Sequence, residues 1–179
     1  MTLYPVFTLA LSAILAVILL SAAMHKLRAP QRFRRQLDDY ALLPPGSLRV
    51  VARIVPALEI ALAILLLIPA LRVVGALGTA LLLGGYAGAM AINLWRGRSD
   101  IDCGCSGPGM ERPLSAALLW RNGLLVLMAL LAALPAHQHP LGGFDLFLIL
   151  ACSLVGLMIY TSVEGLLANR PRLNALQGK

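Results

Sequence analysis

Residues 48–95 read LRVVARIVPALEIALAILLLIPALRVVGALGTALLLGGYAGAMAINLW, and whether they form one helix or two decides the fold. After Arg53 the only charges in this run are Glu59 and Arg72. A helix crosses a hydrocarbon core in about 20 residues. The run is too long for one span and suits two. Pro69 punctuates it and Arg72 interrupts it, so we place helices over Leu48–Ala70 and Leu71–Trp95. Working outward, further apolar runs predict spans over Pro5–Met24, Pro113–Leu134 and Phe144–Leu167. Pro135 and Pro140 bracket the last connection. The expected architecture is all-α: a polytopic membrane bundle of about five helices, forming a single integral membrane domain over residues 1–179.

Composition agrees. The chain is 59% hydrophobic and 13% charged, with a mean hydropathy of +0.82. Soluble domains average about 25% charged residues, and so small a core could not hide this much apolar surface from water. The net charge of +7 describes loops rather than a nucleic-acid surface, because no basic stripe interleaves with aromatics.

Fourteen of the 15 Lys/Arg fall on one side of the expected bundle: in Lys26–Arg53, around residues 96–121, and in the tail. The other side carries only Arg72. By the positive-inside rule the 14 lie in the cytoplasm, with the amino terminus outside and the carboxyl terminus inside. The first run lacks a basic n-region and is too long for an h-region, so it reads as a retained helix rather than a signal peptide. The host membrane is then a bacterial cytoplasmic membrane.

Between the first two spans, Phe33, Leu37 and Tyr40 recur at helical steps while Arg32, Arg34, Arg35, Asp38 and Asp39 take the other face. This predicts a short amphipathic helix anchored in the lipid interface and ended by Pro44-Pro45-Gly46. Glu59 lies half-way through a span, where a carboxylate must be neutralised or paired. Lys26 and Arg53 are the candidate partners, and a purely structural ion pair is as good a reading as a functional one. Gly84 and Gly88 form a G-x-x-x-G stripe suited to close helix approach, within one chain or between copies. Arg121 and Asn122 sit two turns into the fourth span, where Arg121 either snorkels back to the surface or faces the preceding loop. Cys152, in the last span, reads as a small hydrophobe. His137 and His139 make too few ligands for a metal, and no metal site is expected.

The loop over residues 96–112 contains Ser99-Asp100-Ile101-Asp102-Cys103-Gly104-Cys105-Ser106-Gly107-Pro108-Gly109. Cys103 and Cys105 can approach disulfide distance only if the chain bends at Gly104, which glycine permits. Such a small ring would be strained and readily exchanged. Nearby aspartates raise thiol pKa values, whereas Arg96, Arg98 and Arg121 lower them. A redox-active dithiol, a metal site and an inert pair all remain open at this point.

The residues nevertheless carry a resemblance. His25-Lys26-Leu27, Phe33 through Tyr40, Leu43-Pro44, Pro56 and Glu59 occur in order, followed by Asn93-Leu94-Trp95-Arg96-Gly97-Arg98, Asp102-Cys103-Gly104-Cys105-Ser106-Gly107 and Arg121-Asn122. Over about Leu9–Leu134 the chain resembles the MauE family of methylamine-utilisation membrane proteins, within the broader DoxX-like group. That family commonly has Phe where Ser106 stands. The resemblance implies a four-helix DoxX-like core plus a carboxyl-terminal helix. It also implies a part in maturing an exported, disulfide-rich protein, in that family the small subunit of methylamine dehydrogenase, with a periplasmic thioredoxin-like partner of the MauD type.

The leading expectation is a thiol–disulfide component acting through Cys103 and Cys105, an oxidoreductase component if the thiols turn over. Lys26, Glu59, Arg121 and Asn122 would tune the thiols or relay protons. No bound cofactor is expected; a quinone is a candidate redox partner that no residue in the sequence specifies. Two competing expectations are a non-catalytic membrane assembly scaffold and a small transporter or metal handler. One conflict stands: the charges put the cysteine loop in the cytoplasm, whereas the implied partner and client lie outside.

Overall fold

The computed structural model describes residues 4–101, 114–136 and 141–176. Their helices are α1 (Pro5–Arg28), α2 (Pro30–Asp39), α3 (Leu48–Leu67), α4 (Arg72–Trp95), α5 (Ala116–Ala133) and α6 (Gly143–Leu176). All but α2 are long and apolar enough to cross a membrane, and the protein is an all-α polytopic bundle.

The long run that opened the sequence divides as expected. Leu71 N–H donates to the Ile68 carbonyl at 2.9 Å, closing a four-residue turn with Pro69 at its second position. Proline's fixed φ suits that position, and the turn reverses the chain between α3 and α4. Gly75 and Gly78 then bring the two helices together. A Cβ on Gly75 would lie 2.8 Å from the Leu66 backbone nitrogen, and one on Gly78 would meet the Leu62 side chain. The close approach therefore occurs one to two turns from the reversal, not at Gly84 and Gly88. Those two glycines have nothing within 4 Å among the described residues.

α1 is the central element. It packs on α3, α5 and α6, and 56% of its spanning window is buried. α3 packs on α4 and α4 on α5, so α1, α3, α4 and α5 form a four-helix core. Leu15, Leu19, Ala63, Leu66, Ala76, Ala129 and Ala132 fill its interior, and the alanines let backbones approach. α6 lies outside against α1, with only 11% of its window buried. Gly156 on α6 meets Ile14 of α1 there.

α2 departs from the expected helix in two ways. It ends at Asp39, before Pro44, because Ala41 adopts a positive φ of 48°. Its buried residues, Phe33 and Gln36, pack into the bundle, where α2 contacts α1 and α3. The helix is a cover over one end of the core as well as an interfacial connector.

Candidate functional site

Beneath that cover lies a buried ion pair. Glu59 and Pro56, one turn apart on α3, both face inward. Glu59 is fully buried; its Oε1 accepts from Lys26 Nζ at 2.6 Å and from Tyr86 Oη at 2.9 Å. Lys26 is 6% exposed, at the end of α1. Its ammonium sits 5.4 Å from the ring centroids of both Phe33 and Tyr86, within cation–π range. Four helices thus converge on one charge pair. Among the described residues Glu59 Oε2 has no hydrogen-bond partner. Arg53, the other candidate partner, is exposed.

The structure pairs Arg121 elsewhere. Its Nη1 lies 2.5 Å from Glu164 Oε1 on α6, and Arg121 is 8% exposed. Arg121 is therefore buried and paired rather than snorkelling. Asn122 is buried but donates from Nδ2 to the Leu118 carbonyl of its own helix at 3.0 Å. Glu164 and Tyr86 escaped notice in the sequence. Glu164 carried the signal that marked Glu59, an acid in an apolar run.

The run Asn93–Arg98 receives a local explanation. Arg98 N–H donates to the Asn93 carbonyl and Gly97 N–H to the Leu94 carbonyl, both at 3.0 Å, which is the paired pattern of a Schellman stop. Gly97 holds the required positive φ of 74°. The Asn93 side chain, fully buried, donates to the carbonyls of Tyr40 and Ala89 at 3.2 Å. Arg98 Nη2 donates to the Asp39 carbonyl at 2.8 Å. One motif ends α4, ties the end of α2 to it and directs the chain towards Ile101.

Ile101 is buried with Met90, Leu114 and Leu118, and Leu114 N–H donates to the Ile101 carbonyl at 3.1 Å. The chain leaves and rejoins the described structure at one point. Cys103, Gly104 and Cys105 lie outside the described residues, as do His137 and His139. Cys152 is an exposed free thiol on α6. No group of three or more metal-ligating side chains occurs among the described residues.

Two concavities adjoin this region. A cavity of about 230 Å³ lies between α2, α3 and α4, with Lys26, Phe33, Tyr40, Tyr86 and Met90 in its lining. A wider polar groove of about 890 Å³ runs past Arg28, Arg32, Arg35, Arg98 and Asp100 to Ile101. The first is mostly apolar, with the Lys26 ammonium and Gln36 in its wall; the second is rich in guanidinium groups.

Together these features define the class: a polytopic helical membrane protein with charge pairs buried at one end of its core. The family model "Methylamine utilisation protein MauE" matches residues 4–135, which include four of the five spans and both members of the Lys26–Glu59 pair. The chain belongs to that family. It is 40% identical to methylamine utilization protein MauE of Paracoccus denitrificans over 134 residues, 74% of this chain and 72% of that one. Against the protein of that name from Paracoccus versutus it is 38% identical over 98% of this chain and 96% of the relative. The Methylophilus methylotrophus protein of that name is 31% identical over 97% and 94%. No solved structure matches.

Proposed function

We propose that this chain is a membrane thiol–disulfide component of methylamine utilisation that supports maturation of an exported, disulfide-rich protein through Cys103 and Cys105. By family resemblance the client is the small subunit of methylamine dehydrogenase, and the partner is a thioredoxin-like protein of the MauD type. The observation that carries the reading is the mounting of the Cys-Gly-Cys segment. Its two flanks, Ile101 and Leu114, are joined by a backbone hydrogen bond and buried beside Met90, on the same layer as Tyr86 of the Lys26–Glu59 cluster. Two thiols one residue apart suit reversible exchange better than a structural staple, because a disulfide across one residue constrains almost no chain.

In this reading Lys26, Glu59, Arg121 and Asn122 tune the thiols or relay protons to them. On the same reading the thiols lie on the cytoplasmic side of a bacterial inner membrane, which the charge asymmetry supports, so reducing equivalents would enter from a cytoplasmic donor and leave towards the exported client. A scaffold reading draws on a different observation: Lys26 and Glu59 form a buried ion pair between two helices, as a packing device would.

The deciding experiment is the Cys103→Ser/Cys105→Ser double variant, expressed in a host that makes the client. Client disulfides should fail to form while the membrane level of the variant stays normal. Normal client disulfides in that variant would remove the thiol reading and leave the scaffold. Labelling with an impermeant thiol reagent, in intact and opened cells, should modify the pair only after opening.

A further inference from the structure

The cavity beside Lys26 has no part in the thiol reading. An apolar cavity of about 150 Å³ holds a benzene molecule. About 230 Å³ is room for a substituted ring. Its aromatic lining comes from Phe33, Tyr40 and Tyr86, and Val55, Ala89 and Met90 add apolar surface. Leu42 and Leu43, on the connector after α2, continue the lining outward to the surface, where Leu43 is 37% exposed.

The charge arrangement narrows the occupant. An anionic head would compete with Glu59 for Lys26 and add net negative charge to a water-poor site. A cationic head would meet the ammonium directly. A plain acyl chain would leave the ammonium's hydrogen-bonding capacity unused. An ammonium has three N–H donors. One serves Glu59 Oε1, and the group otherwise faces the Phe33 and Tyr86 rings. A neutral, planar ring with a carbonyl on its edge meets every constraint. Its carbonyl accepts from the ammonium without disturbing the ion pair, its faces lie against aromatic side chains, and its apolar tail leaves along Leu42 and Leu43.

We propose that this cavity binds the ring of a membrane-soluble quinone, one ring carbonyl accepting a hydrogen bond from Lys26 Nζ. Binding stands independently of the thiol reading.

The test uses the purified full chain in a fixed detergent, titrated with decylubiquinone and, in parallel, with decanol as a tail-only control. Decylubiquinone should bind saturably and at least tenfold more tightly than decanol. Ala89→Phe, which fills the cavity, should weaken quinone binding at least tenfold without lowering the unfolding midpoint. Should that variant fail to fold, Val55→Trp fills the same space from α3. Replacing the pair together, as Lys26→Met with Glu59→Leu, should bring quinone affinity down to that of decanol. Equal affinity for quinone and decanol, or quinone affinity untouched by either filling variant, overturns the proposal. The Cys103→Ser/Cys105→Ser variant should bind decylubiquinone normally. Normal client maturation in it removes the thiol reading and leaves the quinone site standing.

Discussion

The two ends of the bundle handle charge differently. At the end where α3 turns into α4, the buried Arg72 donates from Nη1 to the Ala132 carbonyl and from Nη2 to the Leu134 carbonyl at 3.1 Å. It needs no carboxylate, because the last carbonyls of α5 supply partial negative charge. At the other end Lys26 and Arg121 reach across to carboxylates on different helices, Glu59 and Glu164. Charge joins helices in both cases, by capping the end of α5 from α4 in the first and by pairing side chains in the second. Among the described residues, the aromatic-lined cavity and the flanks of the Cys103–Cys105 segment lie beside the end with the paired side chains. Arg72, the one Lys/Arg that the sequence puts on the opposite side, is accounted for as a cap.

The difference should appear first in stability. Glu59→Ala leaves the Lys26 ammonium buried and unpaired, a loss of about 3–5 kcal/mol, read as a lowered unfolding midpoint in detergent. Replacing both partners with apolar residues of similar size, Lys26→Met with Glu59→Leu, should recover most of that loss. Client maturation in the double variant then separates the readings, since a mere staple can be replaced and a functional pair cannot. Arg72→Met removes charged hydrogen bonds to two α5 carbonyls and should cost about 2 kcal/mol. Maturation of the client should be unaffected. If Arg72→Met proved more damaging than Glu59→Ala, the contrast between the ends would be reversed.

Much of this was legible because membranes impose length. Span positions follow from hydrocarbon thickness, and Pro69 with Arg72 marks the reversal that divides the longest apolar run. Glu59 was conspicuous because acids are rare in lipid. Its partner was harder to identify: Arg53 is nearer in sequence, but six residues at about 100° each leave it roughly 120° off Glu59's face. The glycine stripes illustrate a different limit. Spacing marks Gly84 and Gly88 as a G-x-x-x-G and leaves Gly75 and Gly78 unmarked, but only the tertiary arrangement decides which pair meets a neighbour. The early end of α2 was illegible for a local reason, since alanine is an uncommon residue at positive φ and gives no signal in advance. The pairing of Arg121 required recognising Glu164 on a helix that otherwise reads as lipid-facing.

Gly97 offers the smallest and most selective way to sharpen the contrast. At φ of 74° it lets Arg98 turn back, so that its N–H closes on Asn93 and its guanidinium reaches Asp39. A Cβ would meet nothing within 4 Å among the described residues, so Gly97→Ala acts through backbone strain alone. That strain is about 1–2 kcal/mol, and Gly97→Asn should cost less, because asparagine tolerates the left-handed region. On stability alone the alanine variant should be no worse than Arg72→Met. Its position predicts the opposite ranking for function: the strain falls on the turn that leads to Ile101 and the thiol segment. Client disulfide formation, measured beside the unfolding midpoint, should therefore drop in Gly97→Ala and stay normal in Arg72→Met. Maturation that followed the midpoint in both variants would mean that the two ends differ only in architecture.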